Sequence, residues 1–319
     1  MNPSFYIYKK ILISLLSILL SLFFIVSITF FLFEIIPGDL YDLDYIKNEN
    51  VIINIRNKYN LDEPIFKRYL SAIKNFFIFD FGYSTINNGL SVKNIIKEKF
   101  PISAIIGLLS IVFSFIVGIV IGIIKSRILA KRRILLLVVE ILLISVPTFV
   151  LCVLFQYFLS VKIKLFPVFW DNSPLSFFPP VLVLSIFPII FIERILDRNI
   201  RKVRKSDYVV SAIARGINKK NIVARYIVKN SLTAVLSYVA PLLANFMVGS
   251  FVVESIFNIP GLGRYFISSI INRDYPVAMG LTVFFSVLLI IITTLFNVLI
   301  SIIDYRGNIK DKKNEFWFY

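Results

Sequence analysis

Long apolar runs separated by short polar stretches make up most of this chain. A helix needs about 20 apolar residues to cross the ~30 Å hydrocarbon layer of a membrane. Six runs reach or approach that length, so the pattern predicts an all-α membrane protein with six transmembrane helices. The predicted spans are residues 11–33, 102–124, 134–161, 175–192, 231–253 and 277–303.

The first and fourth runs depart from a simple apolar span. The first follows Lys9 and Lys10 and so resembles a signal peptide, but it is longer than the apolar core of one and no small-residue cleavage site follows. We therefore expect a retained anchor. The fourth run is short; Pro179 and Pro180 are expected at the start of its helix and Pro188 at a kink inside it.

The distribution of positive charge predicts the orientation of the spans. With six crossings, both termini lie on the same side of the membrane, and that side carries nearly two thirds of the 35 lysines and arginines. An excess of positive charge marks cytosolic loops. We expect residues 1–10, 125–133, 194–230 and 304–319 to be cytosolic, 34–100 and 254–276 to be external, and 101–303 to form a five-helix core.

The external loop contains the sequence YNLDEPIFKRYLSAIKNFF, whose apolar residues recur at helical spacing. Asp62 is the expected N-cap of an amphipathic helix, and Pro64 its first-turn proline. The helix either packs on the external ends of the spans or forms part of a docking surface for an external partner. Its predicted apolar face consists of Ile65, Tyr69, Leu70, Ile73, Phe76 and Phe77.

The stretch SDYVVSAIARGINKKNIVARYIVKNS, residues 206–231, interrupts the apolar pattern with two short amphipathic patterns. We expect Gly216 to end the first helix in a left-handed conformation and Asn218 to cap the second. The pair is either a hairpin on lipid headgroups or a lever held by a soluble protein. The predicted apolar faces are Tyr208, Val209, Ala212 and Ile213, and then Ile222, Val223, Tyr226 and Ile227.

Composition narrows the possible functions. One cysteine and no histidine exclude disulfides within the chain, His-rich metal sites and Ser/His catalysis. The net charge of +16 fits basic cytosolic loops lying against anionic membrane lipid, and we expect no nucleic acid partner. None of the 12 glycines is followed by lysine, so the phosphate-binding loop of ATPases is missing and we expect no cofactor in this chain.

An ordered set of motifs resembles the permease subunits of ATP-binding-cassette (ABC) importers, in particular the B-type subgroup that imports oligopeptides and dipeptides. The resemblance runs from about residue 6 to residue 307, and residues 206–231 are similar to the EAA region of these permeases. Val210, Tyr226 and Ala234 depart from the usual Glu, His and Pro. The motifs are IIPGD at 35–39, YNLDEP at 59–64, DFGYS at 80–84, VPTF at 146–149, ARG at 214–216, VESIFNIPGLGRYF at 253–266 and NRDYP at 272–276.

The resemblance implies a type I importer permease fold with a cytosolic coupling helix, in the inner membrane of a bacterium. It implies a transport subunit that is not an enzyme. Its partners would be a second, different permease, two cytosolic ATPases that bind ATP and Mg²⁺, and an external substrate-binding protein. The residues carried over onto the ATPase-coupling role are Asp207, Tyr208, Val209, Val210, Ser211, Ala212, Ile213, Ala214, Arg215 and Gly216.

The external segment after the fifth span contains a turn followed by a short apolar helix, expected at residues 265–271. The resemblance places this segment in the external vestibule where the binding protein docks. A re-entrant packing element is a compatible interpretation. The predicted docking residues are Pro260, Gly261, Gly263, Arg264, Asn272, Arg273 and Asp274.

Polar residues inside spans usually face the helix bundle or a cavity, because lipid cannot solvate them. Tyr238 and Asn245, seven residues apart on one face, are the preferred candidates for lining the pathway. Interhelical hydrogen bonding is the alternative for them, as for Gln156 and Asn297. Glu140 is expected to pair with a loop arginine.

Three alternative functions differ in how well the sequence fits them. Permeases of the same subgroup import nickel and other small solutes, and no residue separates those cargoes from peptides. A secondary transporter working without ATP would favour inverted repeats or intramembrane acid and base relays, and neither is evident. An intramembrane enzyme would need a His or Asp pair that the spans lack.

Overall fold

The computed structural model describes residues 3–35, 53, 62–86, 90–218, 221–228, 231, 235, 242, 246 and 251–315. Almost all of this part is helical, and its only strand-like pairing is an isolated bridge between Tyr83 and Ser91. The helices are α1 Pro3–Ile35, α2 Ile65–Phe77, α3 Val92–Lys125, α4 Ala130–Ser145, α5 Thr148–Phe155, α6 Phe178–Arg204, α7 Asp207–Ala214, α8 Phe251–Ile256, α9 Leu262–Ile271 and α10 Tyr275–Glu315.

Four described helices are long and apolar enough to cross a membrane, at Leu16–Ile35, Val92–Lys125, Pro174–Arg204 and Tyr275–Phe296. Several extend beyond the predicted spans, because a helix continues into polar sequence where an apolar run ends. The fourth predicted span, for instance, begins as a 3₁₀ turn at Pro174–Phe177 and continues through Pro188 to Arg204. The fifth predicted span, 231–253, lies almost wholly outside the described residues.

The third predicted span is broken in two. Its halves, Arg132–Ser145 and Thr148–Lys162, are bent by 98° and together count as a fifth span or as a re-entrant loop. The break falls at Pro147, which has no N–H to donate, and Val146 before it is extended at φ −83°, ψ 123°. The second half continues from α5 into a π-helix, Gln156–Lys162. The VPTF motif is therefore a corner.

The chain forms two compact units: Met1–Ile102 with Pro260–Tyr319, and Ser103–Ile259. In the first unit α2 packs on α1. The Tyr69 hydroxyl lies 2.6 Å from Ser27 Oγ and the Arg68 guanidinium 2.7 Å from the Glu34 carboxylate. Asp62 is not the N-cap of α2 as predicted; Pro64 occupies that position, because its fixed φ of −56° directs the chain into the helix. Ile65, Leu70 and Phe77 of the predicted apolar face are exposed.

The second unit is built around a close contact between α3 and α6. Small residues recur every fourth position on α3, at Ser110, Ser114, Gly118 and Gly122. A Cβ on Gly118 would lie 2.8 Å from Ile192 Cγ2, and one on Gly122 would lie 3.1 Å from the Glu193 carbonyl oxygen. Small side chains at this spacing let two helices approach closely in a membrane.

Candidate functional site

Residues 207–216, the predicted ATPase-coupling residues and named the coupling segment below, are held within the second unit by two residues of α7. Val209 and Ala212 are buried at 0% and 3% exposure. They belong to one hydrophobic cluster with residues of α3 and α6, so the short helix is fixed on a packed support. The cluster that receives them contains Ile111, Ile192, Leu196, Ile200, Ile222, Ile227 and Val235.

The predicted apolar face of α7 is divided between the support and the surface. Tyr208 and Ile213, expected beside Val209 and Ala212, are 43% and 58% exposed, and Val210 is 55% exposed. Four apolar positions of an eight-residue helix span too wide an arc to reach one support. The coupling segment therefore presents three apolar side chains outward, Tyr208 on one side of the buried face and Val210 and Ile213 on the other, together with the exposed Arg215.

Gly216 ends α7 as predicted, with φ +74°. The Gly216 N–H donates to the Ile213 carbonyl at 3.0 Å and the Ile217 N–H to the Ala212 carbonyl at 3.2 Å. This is the Schellman arrangement, which requires a left-handed residue at the position of Gly216. No heavy atom lies within 4 Å of where a Cβ would stand, so the requirement for glycine is one of backbone conformation.

The second predicted helix of the stretch 206–231 forms as a π-helix, Ile222–Val228. It is preceded by a hydrogen bond from the Ile222 N–H to the Asn218 carbonyl at 3.0 Å. Ile222 and Ile227 of its predicted apolar face are buried. Both join the cluster beneath α7. Lys219, Lys220 and the side chain of Tyr226 lie outside the described residues.

The predicted external segment contains residues 257–274, named the external turn below, which begin after α8 and include the left-handed Asn258, φ +55°. Gly261 is the N-cap of α9, which starts at Leu262, three residues before the predicted position. Gly263 was predicted to be part of the turn and is instead in the first turn of the helix. Helix α9 ends at Ile271 and is followed by Arg273, a non-glycine residue at φ +56°. The Asp274 N–H donates to the Ser269 carbonyl at 2.7 Å.

The carboxylate of Asp274 joins two motifs that are far apart in the sequence. It accepts hydrogen bonds from the Ser84 hydroxyl, from the Thr85 N–H at 3.1 Å and from the Thr85 hydroxyl at 3.3 Å. The DFGYS motif is thereby tied to the NRDYP motif. The left-handed backbone of Arg273 turns Asp274 inward, at 3% exposure.

The predicted docking residues differ in how much of them is accessible. Asn272 and Arg273 are exposed, Pro260 and Arg264 are half-buried, and Gly261, Gly263 and Asp274 are buried. Asp274 is therefore too buried to contact a partner directly. A cavity of about 280 Å³ opens beside these residues, lined by Ile86, Pro260, Arg264, Tyr265, Ser268, Ser269, Asn272, Asp274 and Val277.

We expect Asp274→Ala to destabilise the external turn by about 1.5–3 kcal/mol, because its carboxylate accepts charge-assisted hydrogen bonds that Ala cannot replace. Thermal unfolding of the purified protein and proteolysis of the external loops measure the loss. Asn272→Ala is the matched control, since this exposed side chain makes one hydrogen bond, to Ser268 within the same helix. Equal stability of the two variants would contradict the role assigned to Asp274.

Two of the polar residues predicted inside spans make hydrogen bonds within the second unit. The Gln156 amide donates to the carbonyl of Val168 at 2.7 Å. Val168 lies in the loop before α6, and not in another helix as the alternative expected. Glu140 binds Lys125 and accepts from Arg194 Nε at 2.7 Å. Lys125 and Arg194 both lie in predicted cytosolic loops. Arg133, the arginine of the preceding loop that is nearest to Glu140 in sequence, binds Asp197 instead. Tyr238 and Asn245 lie outside the described residues, as does the side chain of Asn297.

Charged residues form a buried group, the Lys125 network, of which only the pairing of Glu140 with a loop arginine was predicted. Lys125 is the last residue of α3, and its ammonium contacts Glu140 of α4 and lies 2.8 Å from Glu193 Oε1 of α6. Asp197 of α6 binds Arg133 at 2.8 Å and Arg201 at 2.9 Å. The network comprises Lys125, Arg133, Glu140, Glu193, Arg194, Asp197 and Arg201.

A polar turn that contains Asp171, Ser173 and Ser176 precedes α6. The carboxylate of Asp171 accepts hydrogen bonds from the Ser176 hydroxyl and from the Ser173 N–H at 2.9 Å. Hydrogen bonding by Ser176, and then by Ser173, lowers the pKa of Asp171 to about 2. The carboxylate is therefore ionised at neutral pH and holds the turn that leads into the helix.

A family model described as "Binding-protein-dependent transport system inner membrane component" matches residues 114–307 of the chain. The match includes the bent helix pair, α6, the coupling segment and the external turn. The chain belongs to this family. As an inner membrane component it is a multi-pass membrane protein and a transport subunit, not an enzyme.

Named relatives of this inner membrane component cover nearly its whole length. The dipeptide transport system permease protein DppB of Bacillus subtilis is 35% identical over 90% of this chain and 94% of its own. DppB of Lactococcus lactis is 31% identical, covering 93% and 98%. The oligopeptide transport system permease protein OppB of Escherichia coli is 29% identical, covering 93% and 98%. These matches confirm the resemblance to peptide permeases.

Among solved structures, the crystal structure of an amino acid ABC transporter with histidines is similar to this chain. It is 16% identical, with a TM-score of 0.47, and the match covers 74% of this chain and 97% of the other.

Proposed function

We propose that this inner membrane component is one transmembrane subunit of an ATP-driven importer of peptides, coupled to cytosolic ATPases through the coupling segment. The observation that carries the proposal is α7, a helix anchored by Val209 and Ala212 that turns Tyr208, Val210 and Ile213 outward. Exposed apolar side chains on a rigid support are suited to insertion into a groove of another protein.

The proposal includes the partners that such a helix requires. Two ATPase subunits bind ATP and Mg²⁺ and grip the coupling segments, and a second, different permease supplies the other half of the pathway. An external binding protein delivers the cargo to the surface around Asn272 and Arg273, which Asp274 supports from beneath. The chain itself holds no cofactor. Tyr238 and Asn245 line the pathway.

The proposed architecture is a type I importer permease with six transmembrane helices, the coupling segment being the EAA loop. Both termini and residues 194–230 face the cytosol, because the lysines and arginines concentrate there. Residues 34–100 and 254–276 are external, where α2 packs on α1 through Arg68 and Tyr69.

The orientation predicts which side chains an impermeant thiol reagent reaches in intact cells. Cysteine at the exposed Lys67 of α2 should be modified from outside, and cysteine at the exposed Lys205, between α6 and α7, should be protected until the cells are opened. The parent variant is Cys152→Ala, which removes the one native cysteine. Modification at 205 in intact cells, or protection at 67, would contradict the topology.

Uptake by the reconstituted complex tests the cargo. Proteoliposomes containing both permeases and the ATPases, supplied with the binding protein, should accumulate labelled dipeptides or oligopeptides when ATP is enclosed. The relatives' names, dipeptide and oligopeptide transport system permease proteins, support this cargo. Nickel supplied in the same way is the comparison. Accumulation of nickel and not of peptide would overturn the peptide assignment and leave the importer assignment standing.

A further inference from the structure

We infer that the Lys125 network is the joint that transmits movement of α7 to α3 and α4, with Lys125 as its central positioning residue. The inference rests on the proposed function, because it concerns how the coupling segment acts on the rest of the subunit. It starts from the short connection between α6 and α7.

The connection between α6 and α7 is two residues long and hydrogen-bonded. The Ser206 N–H and hydroxyl both donate to the Val203 carbonyl, at 3.0 and 2.6 Å, and the Lys205 N–H donates to the Lys202 carbonyl at 3.2 Å. The Val209 N–H in turn donates to the Ser206 carbonyl at 3.0 Å. A displacement of α7 is therefore passed directly to the last turns of α6.

The last turns of α6 contribute four of the seven residues of the network. Glu193, Asp197 and Arg201 repeat every fourth residue along one side of α6, and Arg194 lies next to the first of them. Every ion pair between α6 and its neighbours in the network joins this stretch to Lys125 at the end of α3 or to Arg133 and Glu140 of α4. Three helices meet at one charged cluster.

Ion pairs are an unusual choice if the only requirement is stability. Well-packed apolar residues at such a position are often as stable as a buried ion pair or more so. Charged groups, however, fix the register of two helices, since an ammonium must stay within a few ångströms of its carboxylates. Elsewhere along α3 the contact with α6 is made by the small residues at 110, 114, 118 and 122. The network therefore fixes the position of α6 relative to α3 and α4.

The network also has unused hydrogen-bonding capacity. Glu193 Oε2, Arg194 Nη2 and Arg133 Nε are buried and make no hydrogen bond to any described residue. Two donors and one acceptor are thus available within the cluster for a second set of pairs when α6 moves. A cluster with two sets of pairs can follow the permease through two conformations and hold the three helices together in each.

A double substitution tests the inference. Lys125→Met with Glu193→Met removes one charge of each sign and leaves Glu140 with Arg194, so the chain should fold and assemble with its partners. Uptake per ATP hydrolysed should fall at least about fivefold, the lower end of typical coupling between sites. The single variant Lys125→Arg keeps the positive charge and should therefore retain most of the wild-type ratio of uptake to ATP hydrolysed. Arg68→Met with Glu34→Leu removes an ion pair between α1 and α2 and should leave the ratio unchanged.

A milder variant covers the case in which the double variant does not assemble. Arg133→Gln removes the pair with Asp197, which keeps Arg201 at 2.9 Å and so is not left without a counter-charge. Its uptake per ATP should also fall. An unchanged ratio in either assembled variant, while the wild-type complex shows ATP-dependent uptake, would overturn the inference and leave the proposed function intact. Absence of ATP-dependent uptake in the wild-type complex would overturn the proposed function.

Discussion

The Gly216→Val variant should lose about nine tenths of its uptake while inserting into the membrane and accepting loaded binding protein normally. Valine at φ +74° raises the energy of the local backbone by about 1–2 kcal/mol, which changes a two-state population by a factor of about 5–30. The strain falls on the Schellman turn that ends α7. The direction of α7 therefore changes, and with it the position of the exposed side chains of Tyr208, Val210 and Ile213. Uptake in proteoliposomes and co-purification of the ATPase measure the effect.

Gly216→Asn is the matched control for that variant. Asparagine tolerates the left-handed conformation better than other residues with a Cβ, and no heavy atom lies within 4 Å to obstruct its side chain. It should retain most of the uptake. If the valine variant transports and binds ATPase as the wild type does, the segment is a hairpin on the lipid surface and the coupling role is wrong.

Lys125→Met alone should be the most destabilising single substitution among those considered. It leaves Glu193 buried at 1% exposure without a counter-charge, while Glu140 keeps Arg194. Breaking a buried pair on one side costs about 3–5 kcal/mol. Thermal unfolding in detergent should show a large drop in the transition temperature, and adding Glu193→Met should recover much of it. A single variant as stable as the wild type would contradict the buried pairing.

The long apolar helices could be predicted because lipid imposes a simple rule on sequence. A span must be apolar for about 20 residues, and four of the described helices meet that rule. Gly216 could be placed because few residues suit a left-handed helix end. The break at Pro147 was visible in the VPTF motif, but proline can sit inside a membrane helix or end one, as Pro188 and Pro147 show in this chain.

The Lys125 network could not be predicted because charged residues were used to mark where spans end. Glu193 and Lys125 each stand immediately after an apolar run, so Lys125 was assigned to a loop and Glu193 was left between a span and a loop. Their helical spacing gave one signal: Glu193, Asp197 and Arg201 continue one side of α6, and Lys125 follows the glycines of α3. The link between Asp274 and Ser84 spans 190 residues, and no local pattern indicates which distant motifs meet.

The most direct test of the importer assignment is whether a signal given outside reaches ATP hydrolysis inside. Proteoliposomes are prepared with ATP enclosed and the complex oriented with its binding-protein face outward, and loaded binding protein is added to the outside. We expect hydrolysis of the enclosed ATP to rise, and the rise to be lost in Gly216→Val and kept in Gly216→Asn. Hydrolysis that ignores the external binding protein, or cargo uptake that continues without ATP, would contradict the assignment.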